Sequence, residues 1–104
     1  MAFNGNEGTK VTLSEASGWT AAYRATIQEG ERIAHFFGKD KINEILDQEG
    51  CMGIRIYHGI DESSEKVLIL VGADVNEEDM TAGVIVEKSV ACPPRCPGKN
   101  DLNS

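Results

Sequence analysis

The stretch GCMGIRIYHGIDESSEKVLILVGADV, residues 50–75, decides the fold because the spacing of apolar residues changes at its first residue, Gly50. Before Gly50, apolar residues recur every three or four positions, as in helices. In residues 51–60 they alternate with polar residues, which predicts a half-buried strand. Residues 61–66, DESSEK, predict a polar hairpin loop. Residues 66–75 are apolar on both faces and predict a strand covered on both sides, the middle strand of a meander.

Upstream of this stretch, the sequence predicts a helix with a defined start. Thr12 and Glu15 have the spacing of a capping box, in which each side chain bonds a free backbone N–H at a helix start. We therefore expect a helix from there to about Ile27. Its apolar residues recur at intervals of three and four and are expected to form one buried face. They are Leu13, Ala16, Trp19, Tyr23 and Ile27.

Two more helical segments are predicted before Gly50. The apolar residues of ERIAHFFGK, residues 31–39, suit one helical turn and indicate a short helix. Asp40 is expected to cap the next helix, and Gly50 to end it in the left-handed conformation. The buried stripe of that helix is expected to consist of Ile42, Ile45 and Leu46.

Helices followed by strands predict an α+β fold, with two or three N-terminal helices packed on a small antiparallel β-meander of about three strands. The third strand is expected in AGVIVEKSVA, residues 82–91. The 104 residues are expected to form a single small domain. Its parts would be a flexible arm (1–11), a helical part (12–50), the meander (51–91) and a Pro-rich tail (92–104). The second face of the sheet needs a cover, for which the arm, the tail and a second copy of the chain are candidates.

The amino-acid composition limits the kinds of partner and the cellular compartment that the sequence suggests. Ten Lys and Arg against seventeen Asp and Glu give a net charge of −7, which disfavours nucleic acid and anionic membranes as partners. No segment has the ~20 apolar residues of a membrane helix, and the N-terminus lacks the pattern of a signal peptide. Three cysteines are an odd number and fit reduced thiols. The expected location is therefore the cytoplasm.

The cysteines are the candidate metal ligands. Cys51, Cys92 and Cys96, with His35 or His58 as the fourth ligand, would make a zinc site, and zinc is the one cofactor that the residues suggest. The C-x3-C spacing is not matched by a second paired motif, so plain buried cysteines and a structural disulfide stay open as alternatives. The segment CPPRC also differs from the C-x-x-C of redox enzymes, and its prolines oppose a helix, which disfavours thiol catalysis.

The first strand and the acidic segment offer two further candidates. Arg55 and Tyr57 share one face of the strand and suit a small anion, whereas His58 faces the isoleucines and is expected to be a core or interface histidine. The segment ADVNEEDM, residues 73–80, resembles the opening of a calcium loop. It lacks the glycine at position six and the glutamate at position twelve, so a solvated turn is expected.

The segments WTAAYR, HFFGK, GCMGIRIYHG and CPPRC resemble a group of small uncharacterised bacterial proteins. The resemblance implies a bacterial, single-domain protein and no activity, catalytic residue or cofactor. With no complete catalytic motif, the leading hypothesis is a non-enzymatic protein-interaction or self-associating module, a homodimer being one form, that uses the sheet and the region of Trp19 and Tyr23. The alternatives are a thiolate metal-binding or redox-sensitive protein, and a small-molecule binding protein using Arg55 and Tyr57.

Overall fold

A computed structural model describes residues 2–104 of the chain, which form an α+β fold. The described residues contain two helices, a two-stranded and a three-stranded antiparallel sheet. None of the helices in this part of the chain has the length and apolar character to cross a membrane. The elements in chain order are α1 (Leu13–Arg24), β1 (Ala34–Phe36), α2 (Lys39–Leu46), β2 (Gly53–Ile60), β3 (Lys66–Ala73), β4 (Ile85–Val86) and β5 (Val90–Cys92).

The chain divides into two compact units. The first unit comprises the residues up to Glu7 together with Phe37–Ser89, and the second comprises Gly8–Phe36 with Val90–Ser104. The first contains α2 and the sheet β2-β3-β4, and the second contains α1 and the sheet β1-β5. The single-domain organisation stays a prediction.

In the first unit, the predicted hairpin and its buried middle strand are confirmed. Strand β3 lies between β2 and β4, and its Leu70 and Val71 are buried. Asp61 closes the loop, because its carboxylate accepts from the backbone N–H groups of Ser63 and Glu65 at 2.9 and 3.0 Å. These bonds form an Asx turn, for which a short acidic side chain is well suited. The polar sequence DESSEK therefore forms the loop that its composition predicts.

Helix α2 covers part of this sheet. Its Ile45 is wholly buried, whereas Leu46, expected in the buried stripe, is exposed. The helix begins after Gly38, so Asp40 lies in the first turn, where its charge suits the helix dipole, and is not the N-cap. The helix ends at Leu46, and Gly50 takes its positive φ of 85° in the loop beyond.

The predicted third strand is wrong as a single element. Residues 82–91 split into β4, which pairs with β3, and the start of β5, which pairs with β1 in the second unit. The break occurs at Lys88, whose φ of 66° is incompatible with an extended strand. On this side, β3 pairs with the two-residue strand β4 and with Asp79 through an isolated bridge at Ala73.

The short helix predicted for residues 31–39 is also wrong, since Ala34–Phe36 form strand β1. Its partner is β5, with His35 opposite Ala91. A helix this short has little more than one turn. Because the first turn is costly to form, such a helix is unstable unless packing against another element stabilises it. Pairing with β5 supplies hydrogen bonds that the isolated segment could not make.

Helix α1 begins as predicted and ends earlier. Thr12 and Glu15 form both bonds of the capping box, and the helix stops at Arg24, not at Ile27. The expected buried face is wrong, because no residue of α1 is buried. Trp19 is 61% exposed. Polar and small residues between the apolar positions give the helix only a weak apolar stripe, so it leaves its largest side chain at the surface.

Candidate functional site

The outer edge of strand β2 carries a row of unpaired backbone groups. The N–H of Asp61 donates to the carbonyl of Glu65 at 3.0 Å, so Asp61 and Glu65 form a hydrogen-bonded pair at the end of the β2-β3 ladder. Along an antiparallel ladder, such pairs alternate with pairs that make no backbone hydrogen bonds to each other. By this alternation, the backbone groups of Ile56, His58 and Ile60 point away from β3. No hydrogen bond from the rest of residues 2–104 reaches them. The second half of β2, residues 56–60, therefore has three alternate residues whose backbone groups are available to pair with another strand.

The side chains of Ile56, His58 and Ile60 share one face along this edge and are exposed. Ile56 is 54% and Ile60 75% exposed, and Tyr57 is exposed between them. The strand contains no acidic residue and no proline. Natural sheets usually protect a long edge strand with charges, prolines or bulges, because free N–H and C=O groups pair readily with another strand. The exposed half of β2 lacks the charges and prolines.

A polar cluster lies on the opposite face of β2. Arg55 Nη1 donates to Asp79 Oδ1 at 2.5 Å and to the Glu77 carbonyl at 3.2 Å. The Tyr57 hydroxyl donates to the other carboxylate oxygen of Asp79. The ring of Phe3 lies 5.5 Å from Arg55 Cζ, a cation–π distance. The cluster joins β2, the loop after β3 and the N-terminal arm.

The pKa shifts in this cluster indicate a structural role. The pKa of Asp79 is lowered, first by the hydrogen bond from Tyr57 and then by Arg55. The pKa of Tyr57 is raised, first by its bond to Asp79. A general acid or base works best with a pKa near the working pH, and both shifts move away from neutrality. The cluster therefore fits a fixed charge pair better than a proton-transfer site.

Asp79 was not recognised from the sequence as a partner of Arg55. The acidic segment does form the predicted solvated turn, in which the Asp74 carboxylate accepts from the N–H groups of Asn76 and Glu78 at 2.9 and 3.1 Å. Asp79 lies beyond this turn and forms a bridge to Ala73. The sequence did contain a signal for such a partner, because Arg55 and Tyr57 share one face of the strand. A cation beside a phenol hydroxyl needs a hydrogen-bond acceptor from a neighbouring segment of the chain.

The N-terminal arm lies along the start of β2. The N–H of Phe3 donates to the Val75 carbonyl at 3.0 Å, and the Glu7 carboxylate accepts from the N–H groups of Asn4 and Gly5 at 2.9 and 3.0 Å. These backbone donors, Asn4 first, lower the pKa of Glu7. A groove of about 440 Å³ is lined by the arm and the first half of β2, including Arg55. The small-molecule hypothesis stays a prediction, and this groove is where it would apply.

The cysteines are divided between a disulfide and a free thiol. Cys92 and Cys96 form a disulfide in the second unit, whereas Cys51 in the first unit is free and donates to the Gly53 carbonyl at 3.2 Å. Among the described residues, no three His, Cys, Asp or Glu side chains are grouped to hold a metal. A zinc site of Cys51, Cys92 and Cys96 would require the reduced chain and stays a prediction. The histidines proposed as the fourth ligand lie on different strands, His35 on β1 and His58 on β2.

The surroundings of the disulfide disfavour thiol exchange. Cys92 is 4% exposed, whereas Cys96 is exposed. An incoming thiolate can reach only Cys96, and its attack would expel Cys92 as a buried thiolate, which burial destabilises. The disulfide therefore acts as a staple between β5 and the tail. Disulfides persist chiefly in oxidising compartments, so the state of this bond also bears on the predicted cytoplasmic location.

Comparison of the chain with protein-family models, curated proteins and solved structures found no match. The resemblance to small bacterial proteins stays a prediction.

Proposed function

We propose that the protein is a non-enzymatic interaction module that self-associates, forming a homodimer through antiparallel pairing of two β2 edges. One observation carries the proposal: Ile56, His58 and Ile60 leave their backbone groups unpaired along an edge with exposed apolar side chains. Pairing with the same edge of a second copy would satisfy these groups. It would also remove the exposed isoleucines from water, which is the main driving force in association.

The edge is complementary to itself in one antiparallel register. With His58 opposite His58 of the second copy, Ile56 lies opposite Ile60 on one face and Tyr57 opposite Gly59 on the other. The register gives about six backbone hydrogen bonds and two Ile–Ile pairs around a two-fold axis. Each tyrosine ring would cover a glycine that has no side chain of its own. The result is a continuous six-stranded sheet made from two three-stranded ones.

Charge favours this edge over the rest of the surface. Two copies with a net charge of −7 repel each other at long range. Strand β2 has no carboxylate, and its Arg55 is already paired with Asp79, so contact between two β2 edges brings no like charges together. Salt screens the long-range repulsion over about 10 Å at 0.1 M. We therefore expect the dimer to become stronger as the salt concentration rises.

Sedimentation velocity over a range of protein concentrations tests the proposal. The wild type should show a concentration-dependent dimer, and Ile56→Lys should be monomeric because it puts two charges into the paired edge. Ile85→Lys is the matched control, since Ile85 is 53% exposed on β4, the opposite edge of the same sheet. It should dimerise like the wild type.

A second variant separates edge pairing from apolar contact. His58→Pro removes an N–H that points away from β3, so the ladder inside the unit keeps its bonds while the outer edge loses a donor. It should be monomeric with an unchanged far-ultraviolet circular dichroism spectrum. A monomeric wild type at the highest concentration, or a dimer abolished by Ile85→Lys and kept by Ile56→Lys, would refute the proposal.

A further inference from the structure

In the second unit, the end of the tail is bound to helix α1. Arg24 Nη1 donates to the carbonyl of Leu102 at 2.6 Å, and Nη2 donates to the Ser104 oxygen at 3.0 Å. Leu102 also lines a cleft on the helix surface together with Trp19, Thr20, Tyr23, Arg24 and Ile33. The tail thus contributes one aliphatic side chain and two main-chain oxygens to this cleft.

The tail folds into a turn largely by its own bonds. The N–H of Asn100 donates to Asn103 Oδ1, and the N–H of Leu102 donates to Asn100 Oδ1, both at 2.8 Å. Arg24 of α1 binds the tail at two main-chain oxygens, those of Leu102 and Ser104. The cleft therefore recognises a backbone shape and an aliphatic side chain.

The tail fills this cleft only in part. About 230 Å³ stays open beside Leu102, which is itself 43% exposed. Trp19 and Tyr23 also keep much of their surface exposed. An aromatic surface beside an arginine is the composition that protein-binding hot spots favour. A longer or better-fitting segment could cover more of this surface than Leu102 does.

We propose that the α1 cleft is a binding site for a short peptide segment of a partner protein. The tail occupies the same site when no partner is bound. The segment would carry a leucine-like side chain, with accessible main-chain oxygens at that residue and two residues further on. This site belongs to the second unit and is independent of the β2 edge proposed for self-association. A tethered tail competes at a millimolar effective concentration, so partner binding requires the tail to leave.

The full-length chain allows a direct test, because Trp19 is its only tryptophan. The variant Leu102→Asp should release the tail and increase quenching of Trp19 fluorescence by acrylamide. The matched control is Asp101→Asn, which alters an exposed neighbour and should leave the quenching unchanged. The probe is a synthetic peptide with the sequence of residues 97–104, PGKNDLNS.

The peptide should bind Leu102→Asp saturably, reverse the added quenching and bind at least about tenfold more tightly than it binds the wild type. A peptide with aspartate in place of its leucine should not bind. Adding Arg24→Ala to Leu102→Asp should abolish binding. The proposal is overturned if folded Leu102→Asp shows unchanged quenching, if it does not bind the peptide, or if both peptides bind equally.

Discussion

Replacing Gly83 by alanine should destabilise the first unit through a clash with Gln48. A β-carbon at position 83 would overlap Gln48 Oε1, far inside any real contact distance. The same Oε1 accepts from the N–H of Val84 at 2.7 Å, and Gln48 Nε2 donates to the Ile45 carbonyl at 2.9 Å. Gln48 therefore joins the end of α2 to the segment before β4. The alanine forces this side chain out of its place.

The expected cost follows from the bonds that are lost. Two partly buried hydrogen bonds contribute about 1 kcal/mol each, so displacing Gln48 costs about 2 kcal/mol. Replacing glycine by alanine also reduces the entropy of the unfolded chain, which raises the free energy of unfolding by about 0.4–1 kcal/mol and offsets part of this cost. The free energy of unfolding should therefore fall by about 1–1.5 kcal/mol. For Gly53→Ala, on β2 of the same unit, no atom of residues 2–104 lies within 4 Å of the new β-carbon, so this substitution should cost nothing.

Urea denaturation of a double-mutant cycle measures this mechanism. Gln48→Ala alone should cost about 2 kcal/mol, because both bonds disappear. In that background the clash with Gln48 is gone and a close neighbour of the new β-carbon is the Met80 carbonyl oxygen at 3.3 Å, so Gly83→Ala should be nearly neutral, which gives a coupling energy of about 1–1.5 kcal/mol. Strictly additive effects of the two substitutions would refute the reasoning, as would equal losses for Gly83→Ala and Gly53→Ala.

Three further predictions concern the cysteines and the polar cluster. Thiol titration of the unfolded, unreduced chain should find one free thiol, Cys51, and three after reduction; three before reduction would contradict the Cys92–Cys96 disulfide. Because the folded pKa of Asp79 is lowered, its stabilising effect is present above the ordinary pKa of 3.8 and is lost as the pH falls through the folded value. The difference in free energy of unfolding between the wild type and Asp79→Asn should therefore be constant at neutral pH and shrink below about pH 4. A difference that stays constant into strong acid would contradict the pairing of Asp79 with Arg55 and Tyr57. Ultraviolet titration should show that Tyr57 ionises above the ordinary tyrosine pKa of 10.0, because this step should be missing in Tyr57→Phe; if the absorbance lost in Tyr57→Phe belongs to a step at or below pH 10, the bond to Asp79 is excluded.

The hairpin and the start of α1 could be predicted because their signals are local. Alternation in β2, the two apolar faces of β3 and the polar loop between them all lie within one short stretch. The capping box needs only Thr12 and Glu15, three residues apart. Such features depend on neighbours in the chain, and the sequence displays them directly.

Other features depend on residues far apart in the chain. Strand β1 exists because β5 pairs with it, and its own three residues carry no strand pattern. The break at Lys88 depends on a backbone conformation that lysine rarely adopts. Asp79 finds Arg55 and Tyr57 only after the sheet has formed. The free edge of β2 arises because, within the part of the chain that the structure describes, β3 is the one strand that pairs with it, and no pattern inside β2 reveals this.

The most direct test of self-association through β2 is an isotope-filtered NMR experiment on a mixture of labelled and unlabelled chains. Nuclear Overhauser effects that cross between copies can arise only at the interface. The proposed register predicts contacts between Ile56 of one copy and Ile60 of the other, and between Tyr57 and Gly59. A dimer whose intermolecular contacts lie elsewhere, with none from Ile56 or Ile60, would contradict the proposal.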